Sequence, residues 1–163
     1  MEHRVEDRTN IRDTLHDFSM DYVKALAEVF GWRVNTAPGN MPGPDVVIEH
    51  LSNGKIDAVM FIESEVGHDT GSSKKYFEKL SKRLKPLVEK YGGEEKGVMF
   101  ALVVITNSPR RLTSYLRENR EKLRKMLGFE LVEGITIFVI PVLLVKEVLP
   151  AVFVRALGAV ARL

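Results

Sequence analysis

The sequence predicts an α/β protein, a mixed β-sheet sandwiched between helices. Three observations predict it. Hydrophobic periodicity gives the order helix, three strands, helix, strand, helix, strand, helix along 163 residues. Two continuous apolar runs, residues 98–106 and 135–142, suit central strands buried on both faces. Ser52-Asn53-Gly54-Lys55 lies between two apolar segments and reads as a tight hairpin turn, because Asn-Gly tolerates positive φ.

Taken in order, residues 10–30 read as an amphipathic helix, with Ile11, Leu15, Phe18, Tyr22, Leu26 and Val29 at helical spacing and Gly31 as its stop. Residues 32–36 form a short strand, and 37–43 a Gly/Pro loop. The hairpin follows, with strands at 44–49 and 56–66. A Gly/Ser segment, 67–73, leads into a second helix near 74–91, striped by Phe77, Leu80, Leu84, Leu87 and Val88. Pro86 would kink that helix and Gly92-Gly93 end it. After the strand at 98–106, Ser108 is placed as a cap and Pro109 at the first position of a third helix. That helix runs to about residue 127 and stops at Gly128. The strand at 135–142 precedes a final apolar helix over 143–161, in which Pro150 marks a kink or break.

The length fits one domain with a real core, here about residues 11–142 plus an apolar helical segment over 143–163. The absence of cysteine excludes disulfides, zinc-thiolate sites and thiol nucleophiles. No glutamine occurs, and Lys, Arg and Glu are abundant, a composition that leans toward a thermophilic source. The N-terminal residues, rich in charge, do not read as a signal peptide, so a cytoplasmic location is expected. Lys146, Glu147, Pro150 and Arg155 interrupt the apolar C-terminal run and argue against a membrane span. Part of that run is expected to cover the sheet and the rest to form a homodimer interface.

The net charge of +2 hides an asymmetry. Residues 1–73 carry 6 basic and 13 acidic side chains, a net of −7, whereas residues 74–125 carry 15 and 6, a net of +9. An acidic part followed by a basic part suits a metal site beside a polyanion-binding surface. The bland alternative is a set of solvated helix faces. Lys74, Lys75, Lys79, Lys82 and Arg83 on the second helix read as phosphate contacts. The third helix adds Arg110, Arg111, Arg117, Arg120, Lys122, Arg124 and Lys125, which can track a DNA backbone without reading sequence. Tyr76 would stack on a base or simply flank its helix.

The acidic part holds a pattern that most cores avoid. Glu63 and Glu65 are two apart on a strand and so share a face, and the hairpin can bring Asp45 beside them. Their repulsion would be removed by a hard divalent cation, which takes oxygen ligands. The alternative readings are Asp45 as a turn residue, and Glu63 and Glu65 on an exposed face paired with Lys or Arg.

Helix, three-strand meander, helix and strand, with Pro44-Asp45 on the second strand and Glu63-Ser64-Glu65 on the third, resembles the PD-(D/E)xK nuclease superfamily. It is most similar to the archaeal Holliday-junction-resolvase and restriction-endonuclease-like branches, over about residues 15–106. Pro44-Asp45 matches the first acidic motif and Glu63-Ser64-Glu65 the second, with Glu65 in the usual lysine position. The resemblance implies a three-layer α/β/α restriction-endonuclease-like sandwich and a Mg²⁺- or Mn²⁺-dependent endonuclease acting on duplex or branched DNA. It implies Asp45, Glu63 and the Ser64 carbonyl as metal ligands. Glu65 would position or deprotonate the attacking water, or bind a second metal. Asp21 is the choice for an acidic residue on the first helix, with Asp17 and Glu28 as substitutes. Lys74 or Lys75 would fill the gap left by the missing lysine, unless a second metal does. His68, in the loop after the motif, reads as a bystander. Two other classes remain: a catalytically inactive nucleic-acid-binding module on the same fold, and an assembly protein whose basic helices meet an acidic partner.

Overall fold

The computed structural model describes residues 17–35, 45–65, 72–94, 97–126 and 135–161. A five-stranded mixed sheet has the order β1 (Arg33–Asn35), β2 (Val46–Ser52), β3 (Lys55–Ser64), β4 (Met99–Thr106) and β5 (Ile135–Pro141). The first three strands are an antiparallel meander, and β3, β4 and β5 run parallel. Helix α2 (Ser73–Glu94) crosses from β3 to β4. Helices α3 (Pro109–Glu118) and α4 (Arg120–Met126) cross from β4 to β5. These three cover one face of the sheet, packing on Val59, Phe61, Leu102 and Val104. Helix α1, described over 17–29, and helix α5 (Val145–Ala161) cover the other face, packing on Ile48, Met60, Ile62 and Val103. The predicted three-layer sandwich with a mixed central sheet is therefore what forms.

The hairpin turn is as expected. Asn53 and Gly54 have φ of 52° and 77°, and Ser52 pairs with Lys55 across the two-residue loop. At the sheet edge Arg33 lies directly opposite Glu49 in register and bonds its carboxylate at 2.9 Å, while Tyr91 of α2 donates to the same group at 3.0 Å. Burial and the Glu49 charge push the Tyr91 phenol up to about 12. Glu49 is thus a satisfied buried acid that ties β1 and the end of α2 to the sheet.

Four expectations need correction. The buried stripe of α1 is Met20, Val23 and Ala27, flanked by Tyr22 and Leu26; Phe18 and Val29 face solvent. Ile11 and Leu15 lie outside the described residues. Helix α2, with Pro86 inside it, runs past Gly92-Gly93 to Glu94, so the glycines do not end it. Lys82 and Pro86 both face solvent, so water can take the carbonyl that Pro86 leaves without an amide. The third helix is two, interrupted at Asn119, whose side-chain amide and backbone N–H both bond the Tyr115 carbonyl. Ser108 does sit at the cap position, but its side chain makes no cap bond.

Finally, Pro150 does not break α5. Proline removes the amide that would bond the carbonyl four residues earlier, at Lys146. That carbonyl accepts instead from the Tyr22 hydroxyl of α1, at 3.2 Å. The Lys146 ammonium lies 5.1 Å from the Phe18 ring centroid, which gives that exposed ring a partner. Tyr22→Phe should lower stability by up to about 1 kcal/mol in urea unfolding, the usual net worth of such a bond. An unchanged midpoint would mean that water serves the carbonyl equally well. Leu149, Val152 and Phe153 bury the first half of α5 against the sheet, so that part of the C-terminal segment belongs to the core. Leu143, Leu144 and Val154 are exposed. Among the described residues no helix is long and apolar enough to cross a membrane.

Candidate active site

The carboxylates of the sequence motif meet at the carboxyl end of β3, beside the carboxyl end of β4. This is where ligands bind in α/β sheets. Parallel pairing sets Glu63 opposite Val104 and Ser64 opposite Ile105, and the Glu65 amide donates to the Ile105 carbonyl at 2.8 Å. The strand pleat turns Phe61, Glu63 and Glu65 toward α2 and α3. Antiparallel pairing brings Asp45, just ahead of β2, to the same place. The Ser64 amide donates to Asp45 Oδ2 at 2.8 Å, and the Asp45 amide to Glu63 Oε2 at 3.2 Å. These reciprocal bonds lock the two acids together, as the hairpin argument anticipated.

Glu63 and Glu65 are 2% and 1% exposed, so the reading that put them on a solvated face is wrong. They are nevertheless paired with arginine. Arg83, two turns into α2 from Tyr76, donates to Glu63 Oε1 at 2.6 Å. Arg111, in the first turn of α3, donates to Glu65 Oε1 at 2.8 Å, and the Thr106 hydroxyl to Glu65 Oε2 at 2.5 Å. Thr106 is in turn held by the Ser108 amide at 2.9 Å. Burial pushes the Glu63 carboxyl up to about 7, with the Asp45 charge adding to the rise and Arg83 opposing it. Among the described residues, Arg83 and Arg111 thus meet the acids Glu63 and Glu65, with Asp45 bonded to the backbone beside them.

The other predicted residues fall as follows. Asp21 is exposed on α1, whose buried side packs on the opposite face of the sheet. It is not brought to this site. Asp17 and Glu28 are exposed on the same helix. Lys74, Lys75, Lys79 and Lys82 are exposed along α2. Tyr76 is buried, which excludes base stacking by its ring; it packs edge-on to Phe77, with centroids 5.2 Å apart. Burial, then Glu63 and Glu65, hold its phenol far above the usual tyrosine range. His68 lies outside the described residues, as do residues 36–44 and 66–71 of the two loops.

Sequence reasoning missed Thr106 and the pairing role of Arg83 and Arg111. Thr106 is the polar residue closing an otherwise apolar strand beside the acidic pair, which was a usable signal. Tyr76 stands on the stripe with Leu80, Leu84 and Val88, which would have placed it inside.

The donor set fits a hard divalent cation. The available donors are carboxylate oxygens, and burial first, then the Asp45 charge, make Glu63 hard to ionise unless a cation is near. Among the described residues no three acidic or imidazole groups form a ready cage. Mg²⁺ needs none, since it keeps several waters and takes one or two carboxylates. Asp45 and Glu63 are the closest such pair, held together by the Asp45 amide on Glu63 Oε2, and Glu63 would have to share Oε1 with Arg83.

No protein-family model, curated protein or solved structure matches this chain.

Proposed function

We propose that this protein is a Mg²⁺- or Mn²⁺-dependent endonuclease that hydrolyses DNA phosphodiester bonds. The observation that carries the reading is the reciprocally bonded pair of half-buried Asp45 and buried Glu63, beside a helix lined with lysines. A divalent cation held by Asp45 and Glu63 would neutralise the scissile phosphate and supply a nucleophilic water. The rest of the work falls to side chains. Glu65, fixed by Thr106 and Arg111, aims the Arg111 guanidinium at the rim, where its exposed part can meet a phosphate. Arg83 does the same from Glu63. These arginines supply the cationic groups that the motif lysine would have given, and Lys74 and Lys75 need not.

The test is incubation of plasmid, linear, single-stranded and branched DNA with each metal between pH 5 and 9. No cleavage of any substrate would remove the enzyme reading. One observation favours a second reading, an inactive nucleic-acid-binding module: Glu63 and Glu65 already have guanidinium partners, so the network can be charge-balanced enough to persist without a metal. Tight DNA binding with no cleavage would select it.

Exposed lysines of α2 are assigned to the DNA backbone in both readings. Replacing Lys74, Lys75, Lys79 and Lys82 with alanine should weaken binding equally for all sequences. The slope of log K against log salt should flatten by about 0.9 for each duplex phosphate that the variant no longer neutralises. An unchanged slope would move the DNA surface to the exposed row from Arg110 to Lys125.

A further inference from the structure

A second concave place on the protein has no part in the scheme so far. A cavity of about 390 Å³ opens at the sheet edge, between β1 and the end of α2. That volume falls within the range of small-molecule sites, about 300 to 1,000 Å³. Arg33, Asn35, Glu49, Lys90 and Tyr91 give it polar walls, and Val34 and Ile56 an apolar one. Glu49 is 3% exposed and engaged through both oxygens. Arg33 Nε and Nη2 each stand 2.9 Å from Oε1, and the Tyr91 hydroxyl donates to Oε2 at 3.0 Å. The buried acid thus offsets one charge and fixes the guanidinium and the phenol that border the cavity. The Arg33 side chain is nevertheless 55% exposed, so its outer edge keeps N–H groups for a ligand. Lys90 is exposed and has no ion-pair partner among the described residues. Two cations therefore border the cavity against one carboxylate that is already paired, and the charge left over is positive.

We infer that this cavity binds the phosphate of a nucleotide, with Arg33 and Lys90 as the cationic contacts. A planar guanidinium matches phosphate oxygens in pairs, and a lysine ammonium adds a point charge. Arg33 is already held in place by Glu49, so less freedom is lost when a ligand arrives. The volume and the Val34 and Ile56 wall leave room for a sugar or base, which a bare anion would not fill. The phosphate can belong to a free nucleotide or to a DNA strand. Asp45 and Glu49 lie on one side of the β2 segment, four residues apart, which is about 14 Å along it. That distance is about four steps along one strand of a duplex. The inference goes beyond the nuclease reading and does not depend on cleavage.

The test is binding without divalent metal and at constant ionic strength, followed by NMR at the Asn35 side-chain amide and the Arg33 and Tyr91 backbone amides. The probes are thymidine 5′-monophosphate, thymidine and a single-stranded thymidine oligonucleotide. We expect saturable shifts with the monophosphate, at an affinity at least about tenfold above that of thymidine. Lys90→Glu should weaken this binding by about tenfold or more, because it turns an attractive charge into a repulsive one beside the phosphate. Lys90 is exposed, so the variant should fold, which circular dichroism checks. Arg155→Glu makes the same charge change at an exposed position of α5, which packs on the other face of the sheet, and should leave affinity within about twofold. Saturation by the monophosphate assigns the cavity to free nucleotides. Saturation by the oligonucleotide alone, lost in Lys90→Glu, assigns it to a backbone phosphate. No saturable shift with either probe overturns the inference. So does equal binding by wild type and Lys90→Glu, or thymidine binding as tightly as its monophosphate. No DNA is cut in this measurement, so failure of the nuclease reading would be seen separately.

Discussion

Asp45→Ala and Glu63→Ala should each lower DNA cleavage by more than about a hundredfold, since loss of a mere supporting partner of a metal ligand already costs ten- to a hundredfold. DNA affinity should barely change, because the exposed lysines of α2 carry the phosphate contacts in this scheme. Folding should also survive. Asp45 is only partly buried, so water can take over the Ser64 amide that Asp45 now accepts from. Arg83 is partly exposed and can turn to solvent once Glu63 is gone. Cleavage assays, filter binding and circular dichroism check the three parts separately. Wild-type cleavage by both variants would mean that the chemistry lies elsewhere. Glu65→Lys, which would restore the lysine of the resembling family, should instead destabilise. It would set a second cation against Arg111 at a place that is almost fully buried.

The fold was legible because its signals are local and strong. Asn53-Gly54 dictates a turn whatever surrounds it, and the apolar run before Thr106 has nowhere to go but the centre of a sheet. The acidic pair was legible because strand alternation fixes its common face. Where the reading failed, a partner distant in sequence decided. Of the kink or break expected at Pro150, the break does not occur, because Tyr22, 124 residues before Lys146, occupies the carbonyl it orphans. Arg83 and Arg111 looked like surface cations because nothing in their own helices says that they reach down to Glu63 and Glu65. Asp21 looked eligible because its helix precedes the meander, yet that helix packs on the other face of the sheet. Tyr76 was left between stacking on a base and flanking its helix because it was read apart from the apolar stripe that buries it.

Glu63 also makes metal-free stability depend on pH in a direction opposite to the usual carboxylate. Its carboxyl titrates near 4.5 when unfolded and at about 7 in the folded protein. Between those values the unfolded chain has lost the proton that the folded protein keeps. The unfolded state then binds fewer protons, so stability falls as pH rises through this window. Below 4.5 both states are protonated and above 7 both are ionised, so the loss is confined to the interval. Its size, from the separation of the two values, is about 3 kcal/mol. Glu63→Gln keeps an acceptor for Arg83 and removes the charge. The stability difference between this variant and the wild type should therefore shift in favour of the variant by about that amount between about pH 4.5 and 8. Mg²⁺ gives the complementary result. A cation on Asp45 and Glu63 must displace the proton, so its stabilisation of the wild type should be much larger at about pH 8 than at about pH 5, and nearly absent in Glu63→Gln. Urea unfolding of both proteins at the two pH values, with and without magnesium, checks each part. A difference between wild type and variant that does not move with pH would show that Glu63 is ionised throughout, held so by Arg83 alone, and that the site has no need of a metal.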